Sequence, residues 1–487
     1  MNLSRRLLLG GLLATPAARL WAEAPETSIR PRSRHPEFRK VTIPDADALV
    51  EKARLTGKVS FAVADTRTGE ILESRAPLLP QPPASTAKTL SSLYALDTLG
   101  ADYTFKTRLL ATGPVTNGRI EGDLILAGGG DPDLDTDALG EMAAELKRIG
   151  VREVAGRFRV WSGALPEVRE IDPLQPDHLA YNPSVGGLNL NYNRVHFEWR
   201  RSGGAYDVAM DARSAKYSPG VTVAKMSVAD RAGPVYTYTE KDDTDIWTVA
   251  KGALGGGGSR WLPVRRPDLY AGEVFQTLAR AHGIQTGGRV AVADTAEGSE
   301  LVVHESAPLS HVLTEMLKYS TNLTAEVVGM TATTARSGGV RDLVSSARSM
   351  DAWLAQQAGA SSAQLVDHSG LGGESRIDAA DMVAALIKLG PQEGLRPLLK
   401  TYEVEDSPDA LVQAKTGTLN FVSALVGYVR AQGGHDLAFA IYCADVERRD
   451  ALSEAEMEQP PGGSVWLARA RTLQRALLSR WSTVYAA

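Results

Sequence analysis

Alternating apolar and polar positions predict strands near both ends of the chain. Residues 59–72 alternate apolar with small or polar side chains around a turn at 65–69, which predicts a β-hairpin. Residues 424–430 and 437–443 are two apolar runs separated by Gln432-Gly433-Gly434, and they predict a second pair of strands. We therefore expect strands from the two chain ends to share one sheet.

Apolar residues at helical spacing lie between these strands. Residues 86–99 show this spacing and stop at Gly100, a residue type that commonly ends helices. Residues 309–318, 378–389 and 465–478 show the same period. The last segment carries three arginines beside leucines, which predicts either a cover for the terminal sheet or a basic membrane anchor. We favour the cover, because a sheet face needs an apolar partner.

The middle of the chain differs, with short strand-like runs between Gly- and Pro-rich turns. Residues 124–126 and 158–161 are such runs, and the four glycines at 255–258 predict a flexible loop. At 487 residues the chain exceeds what one hydrophobic core usually supports. We therefore expect an α/β (α+β) fold with an antiparallel sheet covered by helices. It would be built from residues 37–105 and 297–487, with one or more β-rich domains inserted at 106–296.

Composition and charge narrow the classes of function. The chain is 43% hydrophobic and 23% charged, as in globular proteins, and its formal net charge is −5. Without a long run of Lys and Arg, nucleic-acid binding lacks an electrostatic basis. None of the eight histidines forms an H-E-x-x-H pair, so we expect neither a metal site nor a cofactor. The single cysteine, Cys443, ends an apolar run, which favours a buried strand thiol over a nucleophile.

The first 24 residues are typical of an export signal. Ser4-Arg5-Arg6 precedes a short apolar stretch, and Ala22-Glu23-Ala24 has the A-x-A pattern of a cleavage site. The adjacent arginines favour the twin-arginine route, and the apolar stretch is too short to span a bilayer. No later segment has the length and apolar character of a membrane span. We expect a periplasmic protein, with peripheral membrane association left open and no indication of an oligomeric state.

Three short motifs carry candidate chemistry. They are Ser85-Thr86-Ala87-Lys88 (S-x-x-K), Ser320-Thr321-Asn322 (S-x-N) and Lys415-Thr416-Gly417 (K-T-G), and each occurs once. Taken singly, each fits an ordinary structural role such as a helix cap. Together and in this order they form the set found in penicillin-binding proteins and class A β-lactamases.

The residue types at these positions suit attack by a serine. Ser85 at a helix start and Lys88 one turn later share a face, so a neutral amine can take the hydroxyl proton. Lys415 is the candidate second cation that disfavours the ammonium form of Lys88. Ser320 is the candidate relay of a proton from Lys88 to the leaving amine, and Asn322 is the candidate holder of a substrate amide.

The strand that begins at Lys415 is expected to form one wall of the cleft. Gly417 has no side chain, so a substrate backbone can approach it closely. Backbone N–H groups of Ser85 and Thr418 would converge on the developing oxyanion. Lys415 and Thr416 would bind the terminal carboxylate of the substrate.

The chain resembles the class C low-molecular-mass penicillin-binding proteins, the S13 family of D-Ala-D-Ala carboxypeptidases and endopeptidases. The resemblance runs from about residue 58 to residue 478 and includes Gly122-Asp123-Leu124 before Gly128-Gly129-Gly130-Asp131-Pro132, Leu190-Asn191-Tyr192-Asn193, Asp367-His368-Ser369-Gly370-Leu371 and Ala414-Lys415-Thr416-Gly417-Thr418. It implies a transpeptidase-like domain made from both chain ends, with domains inserted after the nucleophile helix. It also implies an acyl-enzyme on Ser85, peptidoglycan peptides as substrates, and inhibition by penicillin and other β-lactam antibiotics.

Two departures from the family pattern bear on the substrate. Members often carry an acidic residue after the strand at 158–162, associated with the third residue of the stem peptide, and its absence here weakens an expected preference for diaminopimelate. Residues 398–413 lack the usual Gly-Thr-Leu and following Arg, so the rim of the cleft is expected to differ.

Two alternatives stay open. One is a β-lactamase, for which no clear E-x-x-x-N segment is present in the usual interval, and the other is a non-catalytic wall-binding protein on the same fold. Carboxypeptidase and endopeptidase action use the same attack on a D-Ala carbonyl, so the sequence does not separate them.

Overall fold

The computed structural model describes residues 43–403, 410–431 and 434–485, so the predicted export signal at 1–24 lies outside the described residues. The described helices are α1 (Ala46–Ala53), α2 (Ala87–Leu99), α3 (Thr136–Arg148), α4 (Pro267–Ala281), α5 (Leu309–Tyr319), α6 (Asn322–Ser337), α7 (Leu343–Ala358), α8 (Ala379–Lys388), α9 (Val446–Asp450), α10 (Glu454–Met457) and α11 (Gly463–Val484). The described strands are β1 (Lys58–Asp65), β2 (Ile71–Arg75), β3 (Lys106–Ala111), β4 (Val115–Thr116), β5 (Arg119–Ile120), β6 (Leu124–Gly128), β7 (Glu153–Val154), β8 (Phe158–Trp161), β9 (Arg194–Ser202), β10 (Ala205–Asp211), β11 (Ala224–Ala229), β12 (Tyr236–Lys241), β13 (Thr244–Ala250), β14 (Gly257–Pro263), β15 (Ala291–Val292), β16 (Ser299–Glu305), β17 (Lys400–Glu403), β18 (Leu411–Leu419), β19 (Val422–Arg430) and β20 (Asp436–Ala444).

A six-stranded sheet combines strands from both chain ends. Its order is β17-β18-β19-β20-β1-β2, and each neighbouring pair is antiparallel. β1 and β2 form the predicted hairpin, and β1 also pairs with β20, from Lys58 opposite Ala444 to Asp65 opposite Leu437. The expectation that the two chain ends share one sheet is therefore confirmed.

Helices cover both faces of this sheet. Successive strand residues point to opposite faces, so the nearly continuous apolar strands present apolar side chains on both. Ala62 and Tyr442 pack against a layer that contains α2, α5, α6, α7 and α8. Phe61 and Phe439 point the other way, towards α1 and α11. The Trp481 ring of α11 lies 5.8 Å from Phe61 and 5.9 Å from Phe439, between ring centroids. The C-terminal helix thus covers the sheet as predicted.

Two further predictions near this sheet are confirmed. Cys443 is fully buried in β20, and burial raises the pKa of its thiol to about 12, which keeps it uncharged and unreactive. Gly100 ends α2 with φ of 81°, and its N–H donates to the Leu96 carbonyl at 3.0 Å. In the described part of the chain, no helix combines the length and the apolar character that crossing a bilayer requires.

The middle of the chain has its own core and several small sheets. A mixed five-stranded sheet has the order β15-β8-β6-β3-β16, and α3 and α4 share its hydrophobic core. Three-stranded sheets have the orders β10-β9-β14, β11-β13-β12 and β4-β5-β7. Because β16 pairs with β3, the five-stranded sheet extends past residue 296. The domain boundaries drawn from the sequence stay a prediction.

The loop expected at 255–258 was wrong in its second half, whereas Gly255 and Gly256 do lie in a turn. Gly257 and Gly258 are not in a flexible loop but begin β14, where they pair with Arg200 and Trp199 of β9. Pairing with a neighbouring strand supplies the order that glycine lacks locally, so tertiary structure overrides its weak strand propensity.

Candidate active site

Ser85 lies in a tight turn, Ala84–Thr86, that leads directly into α2. Ala84 has a left-handed backbone, with φ of 47°, which is uncommon for a residue with a side chain. Two glycines press on the turn: a Cβ at Gly370 would overlap the Ala84 carbonyl oxygen, and one at Gly417 would lie 2.6 Å from the Pro83 carbonyl oxygen. Close backbone packing therefore fixes the position of Ser85.

The Lys88 amine joins Ser85 to two other segments. Its Nζ donates to Ser85 Oγ at 3.1 Å, to Asn322 Oδ1 at 2.7 Å and to the Ser369 carbonyl at 2.9 Å. The side chain is fully buried, and this desolvation lowers its pKa from the ordinary value of 10.5. A larger fraction of this amine is therefore uncharged than of a free lysine, and only the uncharged amine can accept the proton of Ser85.

A second buried amine, Lys415, lies close by. Its Nζ donates to Ser320 Oγ at 2.9 Å and to the Thr416 carbonyl at 2.8 Å. Desolvation, and then the charge of Lys88, lowers its pKa well below the ordinary value. Among the described contacts, Ser320 bonds Lys415 rather than Lys88. The relay expected from Lys88 through Ser320 therefore has no direct link in this structure.

Asn322 begins α6, and both ends of its side-chain amide are engaged. Oδ1 accepts from Lys88, and Nδ2 donates to the Tyr181 carbonyl at 2.8 Å. A substrate amide that bonds this side chain, as the sequence led us to expect, must replace the Tyr181 bond.

The K-T-G motif lies on β18, and its residues do not all face Ser85. Lys415 and Gly417 face the turn before α2, whereas Thr416 lines a separate cavity of about 410 Å³ with Tyr402. Thr418 lines the cavity at Ser85. The placement of Thr416 gives no support to its expected contact with a substrate carboxylate. The space at Gly417 is taken by the protein's own turn rather than left for a substrate.

Two buried carboxylates lie close to the Lys88 amine, and the sequence predicted no role for either. Glu326 accepts the N–H groups of His368 and Ser369 at 2.8 and 2.9 Å, and Asp367 accepts those of Gly370 and Gly372 at 2.6 and 2.5 Å. Burial raises the pKa of both carboxyl groups. Together they hold the loop whose Ser369 carbonyl accepts from Lys88.

A signal for one of these carboxylates was present in the sequence. Glu326 lies one turn after Asn322, inside an otherwise apolar or small-residue stretch of α6. A charged residue on the buried side of a helix needs buried partners, which points to a site. Asp367 belongs to a segment that carried the family resemblance, but its spacing alone assigned it no role.

A cavity of about 660 Å³ opens at Ser85, large enough for a peptide segment. Ser320, Asn322 and Thr418 contribute to its lining. The lining also contains three arginines and one acidic side chain, namely Arg194, Arg260, Arg449 and Glu458. With two amines beneath it, the cavity favours an anionic ligand.

One described cluster has side chains of the types that bind metals, although the sequence predicted no metal site. His196, Glu198 and Asp211 place potential ligand atoms within 4.8 Å of one another on β9 and β10. The Nη2 of Arg213 donates to both carboxylates at 3.0 Å, so a guanidinium already neutralises them. None of the three lines the cavity at Ser85.

Comparisons with known proteins point to one family. The model of the D-Ala-D-Ala carboxypeptidase 3 (S13) family matches residues 44–459. The D-alanyl-D-alanine carboxypeptidase of Actinomadura sp. (strain R39) is 29% identical over 439 residues, which cover 82% of this chain and 80% of that protein. The D-alanyl-D-alanine carboxypeptidase DacB of Haemophilus influenzae is 24% identical over 444 residues, covering 86% and 92%.

A solved structure bears out the expected fold class. The crystal structure of penicillin binding protein 4 (dacB) from Haemophilus influenzae matches with a TM-score of 0.74 at 20% identity. The match covers 89% of this chain and 99% of that chain. The antiparallel sheet with its helical layers is thus a known architecture of penicillin-binding proteins.

Proposed function

The chain belongs to the D-Ala-D-Ala carboxypeptidase 3 (S13) family, and from that premise we propose that it is a serine-type D-Ala-D-Ala carboxypeptidase or D,D-endopeptidase. Its substrates are peptidoglycan stem peptides, cut through an acyl-enzyme on Ser85, and β-lactam antibiotics inhibit it. The observation that carries the proposal is the 3.1 Å contact between the buried Lys88 amine and the Ser85 hydroxyl. Since such peptides lie in the cell wall, the enzyme works outside the cytoplasm, in the periplasm if the predicted export signal is used.

The first chemical step is attack by Ser85 Oγ on the carbonyl carbon of the penultimate D-Ala. Lys88 in its neutral form takes the hydroxyl proton, and the carbonyl oxygen becomes an oxyanion. Backbone N–H groups of Ser85 and Thr418 stabilise that charge, each by roughly 3 kcal/mol. The C–N bond then breaks, the leaving amine takes a proton, and water later hydrolyses the ester on Ser85.

Charges around the two amines decide which one is neutral. Glu326 and Asp367 both raise the pKa of Lys88 against its desolvation, whereas among the described residues the charge that acts on Lys415 is that of the Lys88 cation. A substrate carboxylate beside Lys415 favours the ammonium form there. That new cation then disfavours the ammonium form of Lys88, because like charges repel. Binding of an anionic substrate thereby prepares Lys88 as the base.

The proton for the leaving amine has a short path. Ser320 Oγ accepts from Lys415, so a protonated Lys415 can pass a proton through Ser320 to the departing nitrogen. In this scheme Lys415 and Ser320 act as the acid pair, while Lys88 acts as the base. Asn322 orients the substrate amide after exchanging its bond to Tyr181.

Covalent labelling tests the assignment of the nucleophile. Intact-mass spectrometry after incubation with penicillin should show one adduct, mapped by peptide analysis to Ser85, and Ser85→Ala should abolish it. Ser349→Ala on the exposed side of α7 is the matched control and should label normally. Full labelling of Ser85→Ala would contradict the proposal.

A second assay separates the two peptidase activities. Purified pentapeptide monomers and cross-linked dimers are incubated side by side with the enzyme, and the products are separated by chromatography. Release of free D-alanine indicates carboxypeptidase action, and conversion of dimers to monomers indicates endopeptidase action. If the wild-type chain forms neither free D-alanine nor monomers, the proposed function is refuted.

A further inference from the structure

Arg194 is a cation of the cavity at Ser85 that has no anionic partner in the described part of the chain. It lines the cavity beside Ser320 and Asn322. Its Nε is buried and donates no hydrogen bond to any residue that the structure describes. Arg194 is half-buried, and removing part of a charge from water without a partner costs free energy that a bound anion would offset.

The other arginines of the same lining are better satisfied. Arg260 donates to Glu458 at 2.9 Å, and Arg449 donates weakly to the Gly373 carbonyl at 3.4 Å. An ion pair within the protein therefore accounts for Arg260 but not for Arg194. A bound anion is the partner that the Arg194 guanidinium lacks.

Two aromatic rings hold the Arg194 side chain in place. Its guanidinium carbon lies 5.0 Å from the ring centre of Tyr192 and 5.5 Å from that of Trp261. Stacking on ring faces leaves the edge of a guanidinium free to bind a carboxylate with two parallel hydrogen bonds. The cation is therefore positioned before any ligand arrives.

The backbone that carries these side chains is strained. Asn191, Tyr192 and Asn193 all have left-handed conformations, with φ of 51°, 57° and 53°. Buried bonds maintain the turn: Asn193 donates to the Ser184 carbonyl at 2.8 Å and accepts from the Leu190 N–H at 2.9 Å. Strain of this kind costs about 1–3 kcal/mol per residue and concentrates at functional sites.

We propose that Arg194, Tyr192 and Trp261 form a subsite for a carboxylate that the stem peptide carries upstream of its two D-Ala residues. Arg194 and Asn322, the side chain proposed to orient the substrate amide, line one cavity, whereas the proposed function places the terminal carboxylate beside Lys415 on β18. The upstream carboxylates of a stem peptide are those of its second and third residues. The nature of this anion rests on the proposed function, and the existence of the subsite rests on the geometry.

Binding measurements on the full-length chain test the subsite without catalysis. Isothermal titration calorimetry on Ser85→Ala uses three synthetic pentapeptides that all end in free D-Ala-D-Ala. One carries a free carboxylate on a diaminopimelate third residue, one on a D-isoglutamate second residue, and one has both groups amidated. We expect one carboxylate peptide to bind at least tenfold more tightly than the amidated peptide, which corresponds to about 1.4 kcal/mol.

Replacing the arginine should remove that preference. In Ser85→Ala/Arg194→Gln the three dissociation constants should agree within about twofold, while Arg194→Lys should keep part of the preference. Arg169→Gln is the matched control, since Arg169 stacks on Tyr238 and pairs with Glu240 outside the cavity. A preference that survives Arg194→Gln, or an equal loss for all three peptides, overturns the subsite.

The subsite and the proposed function can fail separately. A chain with intact Ser85 that neither releases D-alanine nor converts cross-linked dimers to monomers, while Ser85→Ala still discriminates by carboxylate through Arg194, would retain the subsite and refute the function. Normal D-alanine release from all three peptides with equal dissociation constants would retain the function and refute the subsite.

Discussion

Removal of the buried charge at Glu326 should weaken both the fold and the acylation of Ser85. The two carboxylate oxygens accept separate N–H groups, from His368 at 2.8 Å and from Ser369 at 2.9 Å. Glu326→Gln turns one acceptor into an amino group that faces an N–H donor. One buried hydrogen bond to a charged group is lost, so we expect the free energy of unfolding to fall by about 1.5–3 kcal/mol.

The same substitution should change the pH dependence of acylation. The charge of Glu326 raises the pKa of Lys88, so its removal lets desolvation lower that pKa further. A lower pKa means that the neutral base exists at lower pH. The midpoint of the rising limb of the acylation rate should therefore move down by on the order of one pH unit. Ser369 would also lose the anchor that aims its carbonyl at Lys88, which lowers the maximal rate.

Stopped-flow acylation with a fluorescent penicillin, measured from pH 5 to pH 10, gives both quantities. Glu326→Asp keeps the negative charge but shortens the side chain. It should therefore keep the pH midpoint near that of the wild type and still lose stability. Glu315→Gln is the control, because Glu315 pairs with Lys318 on the surface of α5. Wild-type acylation rates and an unshifted midpoint in Glu326→Gln would refute the argument that Glu326 acts on Lys88.

Two further predictions concern the loop between α7 and α8. Gly370→Ala should destabilise the fold by roughly 3–5 kcal/mol in urea unfolding, because its Cβ would overlap the Ala84 carbonyl, and it should also slow penicillin labelling. Gly69→Ala is the control: Gly69 has a similar φ but open space around it, so the substitution should cost only about 1–2 kcal/mol. Burial lowers the pKa of His368 from 6.5 to about 3, so as pH falls below 6.5 the unfolded chain takes a proton that the folded chain does not. Stability should thus drop by about 1.6 kcal/mol between pH 6.5 and pH 5, and His368→Phe should remove that part of the slope; equal slopes in both proteins would contradict it.

Local patterns predicted the main sheet well because its signals are short-range. The hairpin of β1 and β2 needs only alternation and a turn, and β19 and β20 are nearly continuous apolar runs since both faces of the sheet are buried. The helices α3 and α4 went unpredicted within a region that looked rich in strands. The position of β16 in the middle sheet depends on pairing with β3, about two hundred residues earlier, which no local pattern encodes.

The site divides in the same way between local and long-range signals. Ser85 and Lys88 are three residues apart on one helix, so their contact follows from helical geometry. Glu326 and Arg194 lie against partners that only the folded chain brings near, and the residues around Arg194 in the sequence give no sign that two aromatic rings will stack on its guanidinium. Thr416 is different, because alternation along β18 already implied that it points away from Lys415 and Gly417. We had expected all three residues of K-T-G to face the substrate. Side chains alternate along a strand, so adjacent residues of a motif on a strand should be assigned to opposite faces.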